Sequence, residues 1–418
     1  MIKVLKFGGT SVGSAANMKK VAEIVRREQA RITVLSAMSG TTDSLVRISR
    51  AAASGDRNAI EEQLAMLTDK YTRCIEELLR ERKQQALARM NATFGLIRDE
   101  AAAFEEYESE RKIIAQGELL TSAIFTAYLQ ETGLKAECLY SPDFMVKDPG
   151  EKVDTERIGR ALARVAGDDS TFFVAQGFIC SDSQGRIDNL GRGGSDYSAA
   201  LMGAAVEAAE VQIWTDIDGM HNNDPRFVDN TRPIRTMSFD EAAELAYFGA
   251  KILHPATIQP CKDHGIAVLL KNTMDPEAPG TTISNRDDDT KSFHAVAAKD
   301  GITVIRIHSA RMLMAYGFLR KVFEIFEQYR TPIDMITTSE VAVSLTVDND
   351  SHIDEIVRDL SALGSIEIER GNSIVCVVGR MEHGDAGLAA RVFECVRGVP
   401  IKMISYGASH RSLAILID

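Results

Sequence analysis

The stretch IKVLKFGGTS, residues 2–11, decides the fold class of this chain. An apolar run with one embedded lysine, Lys6, ends in a glycine turn, and apolar residues then recur at helical spacing. A second apolar run, ITVLSA at 32–37, follows and again ends in small residues. This order of strand, turn, helix and strand predicts an α/β domain with a parallel sheet.

The rest of the first two thirds continues the same alternation. Residues 57–130 are rich in Ala, Glu, Leu and Arg and are predicted to be helical. Further strands are predicted at 135–140, 171–179, 211–216 and 266–271, and helices at 155–166, 195–209, 238–248 and 254–264. The polar stretch 281–300 is the expected domain boundary.

Beyond that boundary the sequence repeats itself. KVFE at 321–324 is echoed by RVFE at 391–394, and IDMIT at 333–337 is echoed by IKMIS at 401–405. Chance similarity is the alternative, but two matched patches at nearly the same offset disfavour it. A repeat of this length, with a helix and strands in each copy, predicts two ferredoxin-like sandwiches packed together.

Size and charge exclude several classes of protein. The 418 residues suit two or three domains, and the net charge of −12 argues against a nucleic-acid surface. The sequence contains no run of about 18 apolar residues, so no membrane span is predicted. The first residues lack the apolar core of a signal peptide, so a cytoplasmic location is expected. The six cysteines show no C-x-x-C spacing, so no zinc site is predicted.

Two glycine motifs are candidate anion sites. After Lys6, the Gly8-Gly9 turn lets backbone N–H groups approach phosphate oxygens, although a tight turn with an edge lysine fits the same residues. In GRGGSD, residues 191–196, Ser195 is the expected N-cap of a helix whose first turn holds an aspartate. A helix N-terminus beside an arginine attracts anions, although a surface turn is the alternative.

Three other patches carry charged residues without deciding their role. WTD at 214–216 and DPR at 224–226 suit a magnesium–nucleotide complex, or solvated acidic turns. Lys251 in FGAKILHP, 248–255, either neutralises phosphate or is solvated. Glu118 in QGE, 116–118, follows an apolar helical stretch and is uninformative alone.

Taken together, these patches resemble the aspartate kinases of the amino-acid kinase superfamily. The ordered set is KFGGTS, LSAMSGTTD, QGE, QGF, GRGGSDY, WTD, DPR and FGAKILHP. In the last third, GFLRKVF, ITTSE and MISYGAS resemble the tandem ACT domains of the monofunctional, lysine-sensitive branch. The resemblance spans nearly the whole chain and implies an amino-acid kinase fold, with a mainly parallel central sheet between helices, followed by two ferredoxin-like ACT domains.

The resemblance assigns roles residue by residue. The catalytic pair is Lys6 and Asp196. Aspartate is held by Thr42, Glu118, Phe178, Arg192 and Ser195. ATP is contacted by Gly8, Gly9, Thr10, Thr215, Asp216, His221, Asp224, Arg226 and Lys251. The regulatory lysine site comprises Met312, Met314, Gly317, Asp334, Thr338, Ser339 and Glu340. Two positions depart from the family, since His221 replaces an aromatic residue and Met314 replaces a histidine.

The implied reaction moves the γ-phosphoryl group of ATP, with Mg²⁺ bound to ATP, onto the β-carboxylate of L-aspartate. The product, 4-phospho-L-aspartate, opens the route to lysine, threonine and methionine. L-lysine is the expected inhibitor, and a homodimer or homotetramer through the ACT domains is expected. The alternatives are another amino-acid kinase, acting on glutamate or acetylglutamate, and a non-catalytic ACT sensor of amino acids.

The same resemblance gives the domain limits. The kinase domain is expected at 1–285, a linker with the first ACT-region strand at 286–300, and ACT domains at 301–370 and 371–418. Relatives add a final helix, so either the second ACT unit is incomplete or a tail is missing. No homoserine dehydrogenase domain is expected, since the 418 residues leave no room for one.

Overall fold

The computed structural model describes residues 1–150, 152–167, 170–191, 193–248, 253–286, 292–309, 312, 316–381 and 386–418. The chain forms two compact units. The first comprises Met1–Met220, Pro233–Phe239 and Leu253–Asp287, and the second comprises His221–Arg232, Asp240–Ile252 and Asp288–Asp418. The sequence prediction of an α/β domain followed by a ferredoxin-like region is confirmed.

The first unit is built on one large sheet. Among its described residues, eight strands pair in the order β3-β4-β2-β1-β7-β9-β10-β8. The strands are β1 (Lys3–Phe7), β2 (Ile32–Leu35), β3 (Ala136–Cys138), β4 (Phe172–Gln176), β7 (Glu210–Thr215), β8 (Thr236–Ser238), β9 (Ala267–Asn272) and β10 (Thr281–Ser284). The pairs from β3 to β9 are parallel, and β10 runs antiparallel to β9.

The central strands have the composition of a sheet covered on both faces. All four residues of β2 are buried, and so are the last four of β1. Near-continuous apolar runs of this kind are typical of parallel strands between helical layers. Because β1, β2, β4 and β7 run in parallel, their carboxyl ends lie along one edge of the sheet, where the predicted motifs follow.

The helices of the first unit fill in the predicted helical stretches. They are α1 (Ala15–Glu28), α2 (Thr41–Ser54), α3 (Arg57–Leu78), α4 (Lys83–Ala102), α5 (Glu106–Glu131), α6 (Thr155–Gly167), α7 (Gly194–Ala205) and α9 (Gln259–Asp263). The region 57–130 is three helices, because the chain leaves helical geometry after Leu78 and again at Ala103. Residues 255–257, predicted as helix with 258–264, form a separate short 3-10 turn.

The predicted strand at 171–179 is divided in the structure. It stops at Gln176, and a short hairpin of β5 (Ile179–Ser181) and β6 (Ile187–Asn189) begins after Phe178. Phe178 has a φ of 68°, a left-handed backbone that cannot continue a strand. The turn of this hairpin contains Gly185, whose φ is 80°.

The second unit contains a mixed-length antiparallel sheet. In its described part, six strands pair in the order β12-β13-β11-β14-β16-β15. They are β11 (Phe293–His308), β12 (Ile336–Thr338), β13 (Ala342–Val347), β14 (Ser365–Gly379), β15 (Ile401–Tyr406) and β16 (Ser412–Ile417). Its helices are α8, which spans Phe239–Tyr247 and begins at the last residue of a first-unit segment, α10 (Phe318–Gln328), α11 (Ile353–Leu360) and α12 (Ala386–Cys395).

The two repeats share their long strands. The second half of β11 pairs with residues 365–372 of β14, while residues 293–299 pair with residues 374–379. The strand segment that precedes the first repeat therefore lies beside the second one. The predicted boundary stretch 281–300 contains β10 and the start of β11, and its centre, 287–291, lies outside the described residues.

Within the described ranges, the structure has no helix whose length and apolar character would allow it to cross a membrane.

Candidate active site

The embedded lysine of β1 is the centre of the site. Lys6 is 8% exposed, and its Nζ atom lies 2.8 Å from Oδ1 of Asp196 in the first turn of α7. Burying an ammonium group without a partner would strongly destabilise the fold. This ion pair therefore explains how an apolar strand accommodates a lysine. The pair also fixes a positive charge at the carboxyl end of β1.

The glycine turn after β1 is held close to a neighbouring loop. A Cβ atom on Gly9 would lie 2.8 Å from the carbonyl oxygen of Ala37, so only glycine fits there without a shift. The backbone N–H of Ser39 donates to the Gly9 carbonyl at 3.0 Å, and Thr10 is exposed immediately beyond. Gly8, Gly9 and Thr10 thus form an open turn beside the Lys6 ammonium.

The GRGGSD loop leads from the β5–β6 hairpin into α7. Gly193, with a φ of 70°, precedes the helix, which begins at Gly194. The prediction that Ser195 caps the helix is wrong, because the helix starts one residue earlier. Ser195 Oγ instead accepts a hydrogen bond of 3.0 Å from Ser36 Oγ. Arg192 lies outside the described residues.

Close packing fixes Ser195 from the other side. A Cβ on Gly177 would lie 2.6 Å from the Ser195 Cβ, so any larger residue would displace the serine. The next residue, Phe178, donates its backbone N–H to Ser198 Oγ in α7 at 3.0 Å. The left-handed backbone of Phe178 is thereby tied to the start of the same helix. Backbone strain of this kind is concentrated at functional sites.

Glu118 of α5 is a buried carboxylate with an unused oxygen. Its Oε1 accepts the backbone N–H of Ala37 at 3.3 Å, whereas Oε2 is buried and has no hydrogen-bond partner in the described part of the chain. Burial raises the pKa of Glu118 to about 7. A cationic hydrogen-bond donor, such as an ammonium group, would satisfy this oxygen.

Residues 36–42 connect these groups, and we call them the 36–42 segment. Ser36 contacts Ser195, Ala37 contacts Glu118, and Ser39 contacts Gly9. Thr42 is half-buried in the first turn of α2. The structure therefore brings Lys6, Asp196, Ser195, Glu118 and the glycine turn to one region at the carboxyl edge of the sheet.

The other predicted nucleotide residues fall into two groups. In the first unit, Thr215 ends β7, where its Oγ1 accepts the Ile217 N–H at 3.2 Å, and Asp216 is exposed. In the second unit, Asp224 and Arg226 form an ion pair of 2.6 Å, which holds the pKa of Asp224 below its usual value. His221 is half-buried, with Nδ1 at 3.0 Å from Thr231 Oγ1. Lys251 lies outside the described residues.

The predicted regulatory residues include one buried carboxylate of the second unit, Asp334. The Asp334 side chain is 1% exposed, and its Oδ1 accepts from Lys299 Nζ at 3.0 Å and from the Tyr247 hydroxyl at 2.9 Å. Asp334 Oδ2 is buried, and the described residues supply it with no hydrogen-bond partner. Burial raises the pKa of Asp334. Sequence reasoning missed Lys299 and Tyr247, because neither lies in a motif that the sequence alone singles out.

The other regulatory residues that the structure describes are more exposed. Gly317, with a φ of 78°, precedes α10, and Met312 packs against the apolar cluster beneath that helix. Thr338 ends β12, and Ser339 donates its backbone N–H to Ala342 at 2.8 Å; Thr338, Ser339 and Glu340 are exposed. Met314 lies outside the described residues.

Comparison with known proteins places these features in a wider group. The model of the Amino acid kinase family matches residues 1–272, and an ACT domain model matches residues 375–418. A relative from Escherichia coli (strain K12), Lysine-sensitive aspartokinase 3, is 34% identical over 443 residues, which cover 100% of this chain and 95% of the relative.

Solved structures agree with that relationship. E. coli aspartokinase III in complex with aspartate and ADP (R-state) superposes with a TM-score of 0.87 at 32% identity, covering 100% of this chain and 96% of the other. The structure in complex with lysine and aspartate (T-state) has a TM-score of 0.83 at 33% identity, with the same coverage. The similarity therefore extends over both units.

Proposed function

This chain belongs to the amino acid kinase family and, within it, to the ATP-dependent aspartokinases, and from that premise we propose how the site around Lys6 works. The site transfers the γ-phosphoryl group of ATP to the β-carboxylate of L-aspartate, which gives 4-phospho-L-aspartate. The observation that carries this assignment of roles is the 2.8 Å ion pair between Lys6 and Asp196 at the carboxyl end of β1.

The chemistry requires positioning and charge cancellation. An oxygen of the aspartate β-carboxylate forms a bond to the γ-phosphorus, and the bond from that phosphorus to the bridging oxygen of ADP breaks. No general base is needed, because the carboxylate is already ionised at neutral pH. Two anions must meet on a protein with a net charge of −12, so local positive charge is essential. Lys6 supplies it at a fixed position, and Asp196 orients the ammonium.

We assign the aspartate side of the site to residues at the 36–42 segment. The Oε2 atom of Glu118, which receives no hydrogen bond from the described residues, accepts the substrate α-ammonium. Ser195 and Thr42 contribute hydroxyl groups. Phe178 sets the start of α7 through its backbone bond to Ser198. Arg192 is assigned as the partner of a substrate carboxylate on the strength of the family resemblance alone.

The nucleotide side uses the glycine turn and the end of β7. The N–H groups of Gly9 and Thr10 cradle phosphate oxygens beside Lys6. The Gly8 N–H donates to the Trp214 carbonyl at 3.3 Å, so Gly8 contributes a close approach of the backbone to the phosphates and not a donor. Thr215 and Asp216 follow the adjacent strand. The roles of His221, Asp224, Arg226 and Lys251 in nucleotide binding also rest on the resemblance.

Mg²⁺ is the expected companion of ATP. The described residues contain no group of three or more His, Cys, Asp or Glu side chains that could hold a metal ion by themselves. Mg²⁺ does not need such a group, because in kinases it takes many of its ligands from phosphates and water and only one or two from carboxylates. Asp216, an exposed carboxylate at the carboxyl end of β7, would be the protein ligand. When bound, the ion neutralises charge on the phosphates.

Inhibition by L-lysine is the proposed regulation. The E. coli relative is lysine-sensitive, and its T-state structure contains lysine. Asp334 offers a buried carboxylate oxygen to which no described residue donates a hydrogen bond, and such an oxygen suits the ammonium group of an amino acid. We assign the effector site to Asp334 with Met312, Met314, Gly317, Thr338, Ser339 and Glu340.

A homodimer or homotetramer through the ACT sheet is proposed as the assembly. The two outermost strands of that sheet, β12 and β15, each expose an apolar side chain, Ile336 at 37% and Ile404 at 40%. Exposed apolar side chains on the outermost strands are suited to contact with another chain.

Release of ADP by the purified protein tests the function. We expect turnover with aspartate and Mg²⁺-ATP, and none with glutamate or acetylglutamate. Lys6→Ala should lower kcat by roughly a hundredfold or more, the scale for losing one preorganised charge. Lys3→Ala is the matched control, because Lys3 lies in the same strand but pairs with Glu28 at 3.0 Å.

Three results would contradict the proposal. Turnover with glutamate in place of aspartate would overturn the substrate. A fully active Lys6→Ala enzyme would overturn the role of the lysine. Binding of lysine without any turnover of ATP would instead indicate a non-catalytic sensor of amino acids.

A further inference from the structure

Helix α3 presents a buried tyrosine to the 36–42 segment. Tyr71 is 0% exposed, and its hydroxyl lies 3.2 Å from Thr41 Oγ1 and 3.2 Å from Thr121 Oγ1. We propose that Tyr71 is a positioning residue for the amino-acid substrate, acting through the 36–42 segment without touching the substrate. This inference rests on the proposed function, because it takes Glu118, Ser195 and Thr42 as the aspartate site.

The direction of these hydrogen bonds is determined by the available protons. Thr121 Oγ1 donates its proton to the Gly117 carbonyl at 2.8 Å and accepts the Met38 N–H at 3.2 Å. A hydroxyl has a single proton, so Tyr71 must be the donor in its bond to Thr121. Its oxygen then accepts the proton of Thr41. The relay runs from Thr41 through Tyr71 and Thr121 to the α5 backbone.

Burial makes this relay rigid. Thr121 is 0% exposed and Thr41 is 1% exposed, so water cannot replace a missing partner. Burial also raises the pKa of Tyr71 to about 12, so the phenol stays protonated at neutral pH and remains a donor. Without the phenol hydroxyl, the Thr41 hydroxyl would lose its acceptor, and the Thr41 side chain would rotate toward another one.

The relay holds the segment that carries the aspartate contacts. Met38, whose N–H reaches Thr121, follows Ala37, whose N–H reaches Glu118. Thr41 precedes Thr42 at the first turn of α2. A Cβ on Gly117 would lie 2.8 Å from the Ala37 Cβ and 3.2 Å from Thr41 Cγ2, so α5 and the segment are already in close contact. A movement of Thr41 therefore displaces the groups around the substrate.

The glycine turn has a separate attachment to the same segment. Its contact is the bond from the Ser39 N–H to the Gly9 carbonyl, and the Ser39 carbonyl accepts a hydrogen bond from Lys70, the residue before Tyr71. Loss of the Tyr71 hydroxyl leaves both of these bonds in place. The effect should consequently fall on the amino-acid substrate rather than on ATP.

Steady-state kinetics of Tyr71→Phe test the inference. We expect KM for aspartate to rise about tenfold, the scale for losing one buried hydrogen bond, with kcat lowered less than about threefold and KM for ATP within about twofold of wild type. Tyr128→Phe is the control, since Tyr128 is a partly buried tyrosine of α5 whose hydroxyl forms no hydrogen bond with the described residues. It should leave all three constants near wild type.

Thr41→Val provides an independent measurement of the same bond. It should raise KM for aspartate similarly, and the double variant with Tyr71→Phe should be no worse than either single variant, since one relay is removed in each case. This variant decides the question if Tyr71→Phe does not fold.

Two results would overturn the inference. One is an unchanged KM for aspartate accompanied by a lower melting temperature, which would make Tyr71 purely structural. The other is an equal loss for ATP and aspartate. If the wild-type enzyme turned over a different amino acid, the proposed function would fail. The Tyr71 inference would then be tested by the effect of Tyr71→Phe on KM for that amino acid.

Discussion

Replacing Glu118 with glutamine should stabilise the free protein at alkaline pH while it damages the site. The carboxylate is 3% exposed, and only one of its oxygens has a hydrogen-bond donor among the described residues. Burial disfavours the charged form and raises the pKa to about 7, from an ordinary value of 4.5. The free enzyme thus holds an ionised group in an environment that penalises the charge.

The size of the effect follows from proton linkage. Because the pKa of Glu118 is raised in the folded state, its contribution to stability is complete below about pH 4.5 and is lost as pH rises through about 7. The total loss is about 3 kcal/mol, since one pKa unit corresponds to about 1.4 kcal/mol. Glutamine does not titrate. The gain in unfolding free energy from Glu118→Gln should therefore grow by about 2–3 kcal/mol between pH 5 and pH 8.

Urea denaturation at pH 5 and pH 8 measures this difference, with fluorescence of Trp214 as the probe, because this tryptophan is buried in the first unit. Glu106→Gln is the matched control, an exposed carboxylate in the first turn of the same helix, and should show no such growth. The reasoning is refuted if Glu118→Gln is no more stable than wild type at pH 8, or if its gain is equal at both pH values.

The same titration has the opposite effect on activity, which should rise with pH while stability falls. Only the ionised form of Glu118 can pair with a substrate ammonium, and its population rises about tenfold between pH 6 and pH 8 if the pKa is near 7. The value of kcat/KM for aspartate should rise by about that factor over this range. Glu118→Gln should have a much higher KM for aspartate and lack this pH dependence.

Two further substitutions test other parts of the structure. Gly177→Ala should lower kcat/KM for aspartate by at least about tenfold, because its Cβ would lie 2.6 Å from that of Ser195. Gly95→Ala is the control, because a Cβ at that position meets nothing within 4 Å. Equal activity of the two variants would contradict the packing argument. Asp334→Asn should raise the lysine concentration that gives half-maximal inhibition at least about tenfold. A lysine titration of the activity, expressed relative to the activity without lysine, measures this concentration. An unchanged value would exclude the buried carboxylate from effector binding.

Much of the fold was readable because the signals are local. The apolar runs that became β1, β2 and β7 needed no knowledge of their neighbours, since strands that are buried on both faces are mainly apolar. The repeat in the last third was readable for the same reason. Each copy carries the pattern of its own helix and strands.

Errors arose where tertiary contacts overrule local preference. Ser195 has the composition of an N-cap, but its side chain is taken by Ser36 from a distant part of the chain. The apolar run at 171–179 has the composition of one strand, but Gly177 must lie against Ser195, and Phe178 then turns into the left-handed region. Neither partner is close in sequence, so no local pattern could reveal these contacts.

The sequence by itself determined which chemical groups are available, since Lys6, the glycine turn and the GRGGSD loop follow predicted strands and mark an anion site. Only the tertiary structure decided which of those groups meet. The ion pair from Lys6 to Asp196 spans 190 positions of the chain and depends on β1 lying near the start of α7. It also decided that Glu118 is buried with one oxygen to which no described residue donates, and that Tyr71 supports the 36–42 segment. Burial and hydrogen-bond partners depend on the packing of distant segments, and a local stretch of sequence specifies only its own preferences.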